Sequence, residues 1–354
     1  VALIAALRVA ALEAVFLLQR VPAADNPVVG LEAAPRIFTS LAIAARYAWR
    51  IVFGFPLAAD HSGAVLAVEP SLAAPLPLLG LLVLAALGAL ALAPRRFGRA
   101  ASLAASLFLL PHLVVGNLLF PIGAGLAERL AYLPSAGIHL LAGLAAERAL
   151  DRVPGRRALA GAVALLVAVA ALFAARTWTR SIEWRSDRSI FEAAARVNPG
   201  SPRAHYVVAT LDHREGRPDL ALPRIEKVLD LWPAYLAAWG EKAVLAGKAG
   251  DLRGAEAAAR EAIRLDPFYS LAHFNLGVAL HRMGRLAEAE RSLRKAVLLD
   301  PLHDASWAEL GHVRRARGDP AGAAEAYRRA IALGRADLGR QLPASGGVSG
   351  RDQI

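Results

Sequence analysis

Hydrophobic residues are laid out in two different ways along the chain. Up to residue 176 they come in long uncharged runs; beyond it they recur in short groups separated by charges. The run 71–93 has no charge, 100–127 has none apart from what His112 can acquire, and 158–175 is bounded by Arg157 and Arg176. A helix needs about 20 largely apolar residues to cross a bilayer, and these runs approach or exceed that length. Two weaker runs are 130–146, between Arg129 and Glu147, and 1–19, which carries Arg8 and Glu13. The pattern predicts about five spanning helices. Segment 36–55 sets Arg46 and Arg50 beside Tyr47 and Trp49. It predicts a helix lying in the membrane interface with its arginines reaching outward, a further span being the competing reading.

The second half is periodic. Pro199, Pro233, Pro267 and Pro301 are spaced by 34 residues, which predicts four units at 202–235, 236–269, 270–303 and 304–337. The fourth position of each is aromatic or histidine (His205, Trp239, His273, Trp307), and alanine recurs at 221, 255, 289 and 323. Glycine recurs at 216, 250, 284 and 318, where a left-handed residue would end the first helix of each pair. This is the period of the tetratricopeptide repeat, a helix pair that buries its apolar face only by stacking on its neighbours. The chain therefore reads as all-α: a multi-pass helix bundle over 1–176, a linker helix over 177–201, a four-repeat α-solenoid over 202–337, and a disordered tail over 338–354.

Composition changes the picture less than position does. The chain has 354 residues, 56% of them hydrophobic, a net charge of +11 and no cysteine. Absent cysteine excludes disulfide scaffolds and thiolate chemistry. The positive charge points to no nucleic-acid surface, because no Lys/Arg block is interleaved with aromatics. Residues 1–176 hold 14 arginines and 8 carboxylates, against 27 Lys+Arg and 22 carboxylates after them. Seven of those 14 arginines lie in two short loops, 94–99 and 148–157. The positive-inside rule makes both loops cytoplasmic, so the repeats are expected on the non-cytoplasmic side. The richness in Ala and Arg suggests a GC-rich genome and a bacterial inner membrane. The chain starts at Val1 and reads as part of a longer one.

Candidate chemistry is sparse. No phosphate-binding loop, nucleophile triad or metal-ligand spacing is present, and no cofactor is identified. Asp60-His61 is a lone pair where a metal needs three or four ligands. Between Asn117 and Ser135, prolines 121 and 134 and glycines 123 and 125 interrupt apolar sequence next to Glu128, Arg129 and Tyr132. Broken backbone at membrane depth is tolerated only inside protein or beside a water-filled cavity, and ionisable groups there mark functional sites. Arg129 could grip a phosphate bidentately; a Glu128–Arg129 structural pair is the alternative. In the repeats, Arg214, Lys248, Arg282 and Arg315 form a basic row. It reads either as a groove for an acidic peptide or as cations complementing helix C-termini.

The segments NLLFPIG and AERLAYLPSAG (117–137) resemble the signature of the transmembrane and tetratricopeptide-repeat protein O-mannosyltransferases. So do Asp25-Asn26-Pro27, Arg36 to Thr39, Tyr47, Asp60-His61-Ser62 and EWRSDRSIFEAAARVNP (183–199), and the resemblance runs from about 20 to 337. It implies a multi-pass membrane enzyme that transfers mannose from a polyprenyl-phosphate donor to Ser/Thr of exported proteins. A divalent metal has no support in these residues. It also implies donor-side roles for Glu128, Arg129 and Tyr132, and outer-side positions for Asp25, Asp60 and His61. The catalytic acids of that class lie in its first extracytoplasmic loop, expected upstream of Val1. The repeats would engage the acceptor or another protein. A non-catalytic membrane-anchored repeat scaffold is the alternative.

Overall fold

The computed structural model describes residues 26, 28–54, 66–119, 126 and 128–341, with the side chains of Glu128 and Arg129 outside that description. The run 1–19 and residues Asp25, Asp60 and His61 lie outside the described residues. Among those described, every regular element is helical, as the all-α reading expects. The chain divides into two compact units, 1–208 and 209–354.

In the first unit α1 (Ala33–Phe53) has a fully buried centre, with every residue from 39 to 45 enclosed. α2 (Pro75–Leu92) packs on it at a backbone-to-backbone crossing. A Cβ on Gly80 would sit 1.9 Å from the Leu41 carbonyl oxygen, so only glycine fits there. A short turn, α3 (Pro94–Phe97), leads to α4 (Arg99–Val115). α5 (Tyr132–Leu150) follows a 3₁₀ turn at Glu128–Ala131 and meets α4 the same way: a Cβ on Gly137 would lie 2.4 Å from the Ala104 oxygen. Small residues that let helix backbones touch are the packing device of helices in lipid. α6 (Arg156–Glu183) is 28 residues long and buries none of them. α7 (Asp187–Val197) begins at a reciprocal cap between Ser186 and Ser189.

The uncharged runs map onto helices with two differences. The run 100–127 stops being helical at Val115, where Gly116 and Asn117 (φ +60°) turn the chain. The run 158–175 continues as helix through its polar flank to Glu183. By length and composition two of these helices, α2 and α6, can cross a membrane; α4 is apolar but shorter.

Beyond α7, helices pair within the 34-residue windows: α8 (Pro202–Arg214) with α9 (Pro218–Leu231), α10 (Leu236–Ala249) with α11 (Leu252–Leu265), α12 (Ser270–Arg282) with α13 (Leu286–Leu299), and α14 (Asp304–Ala316) with α15 (Pro320–Ala332). The unit division falls inside α8. The recurrent glycines 216, 250, 284 and 318 all have φ between +75° and +88°. The recurrent prolines and fourth-position rings prove to be one device. The ring nitrogens of His205, Trp239, His273 and Trp307 donate to the carbonyls of Pro199, Pro233, Pro267 and Pro301 at 2.8–3.0 Å. In the second unit Leu276, Leu280, Leu293, Leu310 and Val313 form one continuous core. A 3₁₀ turn at Ala336–Gln341 buries Leu338 against Tyr327 and Ala330, so the opening residues of the expected tail cap the last repeat.

Candidate functional site

Three helix faces in the first unit enclose a cavity of about 550 Å³. α1 supplies Tyr47, Arg50, Ile51 and Gly54; α5 supplies Tyr132, Ser135 and His139; α6 supplies Phe173, Arg176, Thr177, Arg180, Ser181 and Trp184. Each set follows the three- and four-residue spacing of one helical face. The α6 contribution lies at the end of that helix's apolar stretch, where Arg176 begins the polar flank. The cavity is thus amphipathic: Ile51, Leu126 and Phe173 give an apolar wall, and three arginines with several hydroxyls give a cationic one.

Two of the guanidiniums, those of Arg176 and Arg180, are held in place. Gly54 ends α1 in a left-handed conformation (φ +69°) and its carbonyl accepts from Arg176 Nη2 at 2.7 Å. Arg180 pairs with Glu183 and also stands over the Trp184 ring at 5.9 Å. His139 Nδ1 lies 2.7 Å from the Ser135 carbonyl, so that nitrogen carries the hydrogen and a neutral ring keeps its lone pair on Nε2. Among the described residues no three His, Asp or Glu side chains are grouped to hold a metal ion. The chemistry on offer is recognition of an anion joined to an apolar chain.

Behind the cavity lies a buried polar node. Asn26 Nδ2 donates to Asn117 Oδ1 at 2.9 Å, and Ser40 Oγ donates to the Asn117 carbonyl at 3.0 Å. Thr39 Oγ1 accepts from the Glu69 amide at 3.0 Å, and Glu69 pairs with Arg46 at 3.7 Å. His112, fully buried, stacks on Phe108 and stands edge-on to Tyr47 of the cavity wall. The segments 25–62 and 117–135, both quoted above for their resemblance, therefore meet in space at Asn26 and Asn117.

Tyr132 lines the cavity and is three-quarters exposed, while Glu128 and Arg129 stand on the 3₁₀ turn that leads into it. Sequence reasoning does not single out Arg50, Arg176, Arg180 or Trp184 as site residues. Their signal is a set of cations at the two ends of apolar segments, visible only once three separate stretches converge. In the second unit Lys248 and Arg282 line one hollow together. Arg214 is exposed at the end of α8, and Arg315 bonds Gln341 of the terminal turn instead of joining them. His213 bridges Glu241 and Lys248, the latter at 2.5 Å, and His281 pairs with Glu309 at 2.6 Å.

The tetratricopeptide-repeat family matches residues 241–297 and 282–337. The chain is a repeat protein over those residues. It is 35% identical over 119 residues to Protein O-mannosyl-transferase Tmtc1 of Drosophila melanogaster, covering 32% of this chain and 13% of that protein. It is 33% identical over 129 residues to Protein O-mannosyl-transferase Tmtc2 of the same organism, covering 36% and 13%. These matches fall in the repeat region, and the chain spans about an eighth of each relative's length. A solved structure, a thermophilic tetratricopeptide-repeat protein of Thermus thermophilus, aligns at 25% identity and a TM-score of 0.38. That alignment covers 43% of this chain and 83% of that one.

Proposed function

We propose that the cavity between α1, α5 and α6 binds the phosphate of a polyprenyl-phosphate sugar, and that the complete protein transfers that sugar, mannose by resemblance, to Ser/Thr of exported proteins. The observation that carries the reading is the amphipathic lining: Ile51, Leu126 and Phe173 line the same hollow as Arg50, Arg176 and Arg180. Relatives named as O-mannosyl-transferases support the sugar chemistry. α6, apolar all round and unburied, would cross the membrane and set the cavity at the bilayer surface. With the positive loops inside, the repeats would then stand outside the cytoplasm, where exported acceptors pass.

In this reading the isoprenoid tail lies along the apolar wall while the guanidinium forks grip the phosphate. A phosphodiester gains negative charge as it departs as a monoester, and fixed cations stabilise that charge where it develops. The Tyr132 hydroxyl adds a further donor, while the Thr177 and Ser181 hydroxyls donate to the Phe173 and Trp178 carbonyls of their own helix. The acceptor hydroxyl needs a general base; the lining residues supply none that is acidic, so the base comes from elsewhere in the complete enzyme.

The test is sugar transfer by the full-length protein in membranes, using a polyprenyl-phosphate sugar. Arg176→Ala is expected to lower kcat by about 10²-fold, the scale of losing one fixed transition-state donor. Unchanged transfer by Arg50→Ala and Arg176→Ala alike would remove the donor-phosphate role. No transfer by the native protein from any such donor would leave the membrane-anchored scaffold as the function.

A further inference from the structure

Arginines are treated differently in the two units. In the repeats, carboxylates gather them: Glu256 holds Arg260 and Arg285, and Glu290 holds Arg294, Arg314 and Arg317. In the first unit the three arginines of 94–99 and the four of 148–157 are all exposed. Among the described residues none of the seven makes an ion pair, although Glu147 and Asp151 stand beside them in the chain. Arg148 Nη1 donates to the Leu144 carbonyl at 3.1 Å and Arg152 Nη1 to the Arg148 carbonyl at 3.5 Å. A guanidinium has five N–H donors, so these bonds leave most of each fork to other partners.

The two loops lie at one end of the helix bundle. α4 and α5 run antiparallel: Gly137, in the second turn of α5, lies against 104–108. Ala131, ahead of it, packs on the cluster of Tyr47, whose ring meets His112 near the end of α4. Ser102 Oγ donates to the Leu90 carbonyl at 2.8 Å, which pins the end of α2 to the start of α4. The turn 94–99 therefore sits beside the C-terminal end of α5, and residues 151–155 keep the start of α6 within about 20 Å of that end. Leu92 is 87% exposed and Phe97 37%, and Arg96 stands over the Phe97 ring at 5.4 Å. Exposed apolar groups and unpaired cations thus share one small surface.

We propose that this surface binds the headgroups of anionic phospholipids. The guanidinium forks hold the lipid phosphodiesters, and Leu92 and Phe97 enter the upper part of the acyl layer between them. Charge complementarity selects the occupant: seven arginines stand against two carboxylates where α2 ends and α6 begins, the two helices long and apolar enough to cross a bilayer. The proposal goes beyond topology. Orientation in the membrane needs only positive charge near the ends of spans, which lysine supplies as well; a phosphodiester is gripped bidentately by the planar fork of arginine. It is also independent of sugar transfer, because neither loop lines the cavity of α1, α5 and α6.

The experiment uses the full chain in a neutral detergent with phosphatidylglycerol or phosphatidylcholine added. It is read by native mass spectrometry, as lipids retained, and by the unfolding midpoint. Phosphatidylglycerol should be retained and raise the midpoint; phosphatidylcholine should do neither. Replacing the arginines by lysine, one loop at a time, keeps the charge and should leave the lipid-free midpoint where it is. The same replacements should weaken phosphatidylglycerol binding at least about tenfold. Leu92→Ser with Phe97→Ser should weaken it by a smaller factor. Arg50→Ala with Arg176→Ala, in the cavity, should leave phosphatidylglycerol binding unchanged, which tells failure of the cavity reading apart from failure of this one. Equal retention of the two lipids, native affinity in both lysine variants, or loss of binding only in the cavity variant would overturn the proposal. So would displacement of the lipid by a short RNA at equal phosphate concentration, since the surface would then read phosphate polymers instead of lipid.

Discussion

α6 and α13 are both helices rich in Ala, Leu and Val, and they solve opposite problems. α13 buries Ala289, Glu290, Leu293, Ala296 and Val297 on one face and gives the rest to water. α6 is apolar around its whole circumference over residues 158–175, and no residue of it is buried. A helix that is hydrophobic all round belongs in a protein core or a bilayer, and α6 touches protein only towards its C-terminal end, at Phe173 and beyond. Apolar content alone therefore says little about where a helix's partners are; the spacing of the apolar positions says most of it. The solenoid finds its partners in the next repeat, whereas α6 leaves its apolar stretch unpartnered within the described residues.

That contrast can be broken in four ways, taken from the largest effect down. Leu293→Ala, at a fully buried core position, should cost about 2–5 kcal/mol in denaturant unfolding of the repeats. Leu166→Ala on exposed α6 should cost less than about 0.5 kcal/mol; equal losses would contradict the comparison. Val167→Arg, at the centre of the apolar stretch, should oppose insertion by about 2.5–3.5 kcal/mol, read as protein released by alkaline extraction. The same charge at Ala259 should unfold repeats while leaving extraction unchanged.

The third test is Glu290→Ala. Glu290 is buried and pairs with Arg294 at 2.6 Å and Arg314 at 3.3 Å, and with Arg317, tying the third repeat to the fourth. Its loss should cost about 1–3 kcal/mol, checked by the unfolding midpoint; the three arginines can turn towards water, which limits the penalty. The smallest effect is a pH dependence. Burial holds the His312 pKa below the ordinary histidine value, with Arg315, His281 and Arg335 acting in the same sense and Glu309 against it. The folded state thus takes up a proton less readily than the unfolded one. Stability is complete above the unfolded pKa of about 6.5 and declines as pH falls below it. The drop in Tm between pH 7.5 and 5 should be smaller in His312→Gln, whereas an unchanged drop would show that other groups carry it.

The repeats are legible in the sequence because geometry repeats with them. A helix pair of fixed length must return every 34 residues to the same ring, the same glycine and the same proline carbonyl. The inter-repeat ion pairs carry a fainter version of that signal: Glu256 and Glu290 are also 34 residues apart, and each reaches an arginine of the following repeat. The cavity is not legible in this way. Tyr132 points towards it, but Arg50 reads as an interfacial cation and Arg176 as the end of a span. Their meeting depends on how three helices pack, which no local pattern encodes. Asn26 and Asn117 lie 91 residues apart and need the same tertiary information to be joined.

The claim that matters most is that the cavity holds a lipid phosphate. Its most direct test is photocrosslinking of the membrane-embedded protein with a radiolabelled polyprenyl phosphate bearing a diazirine near the phosphate, followed by peptide mapping. The account predicts adducts within 47–54, 132–139 and 173–184, lost in Arg50→Ala and Arg176→Ala and competed by unlabelled polyprenyl phosphate. Adducts spread along 158–172, indifferent to both substitutions and to competitor, would mean that the probe meets α6 only as bulk lipid does.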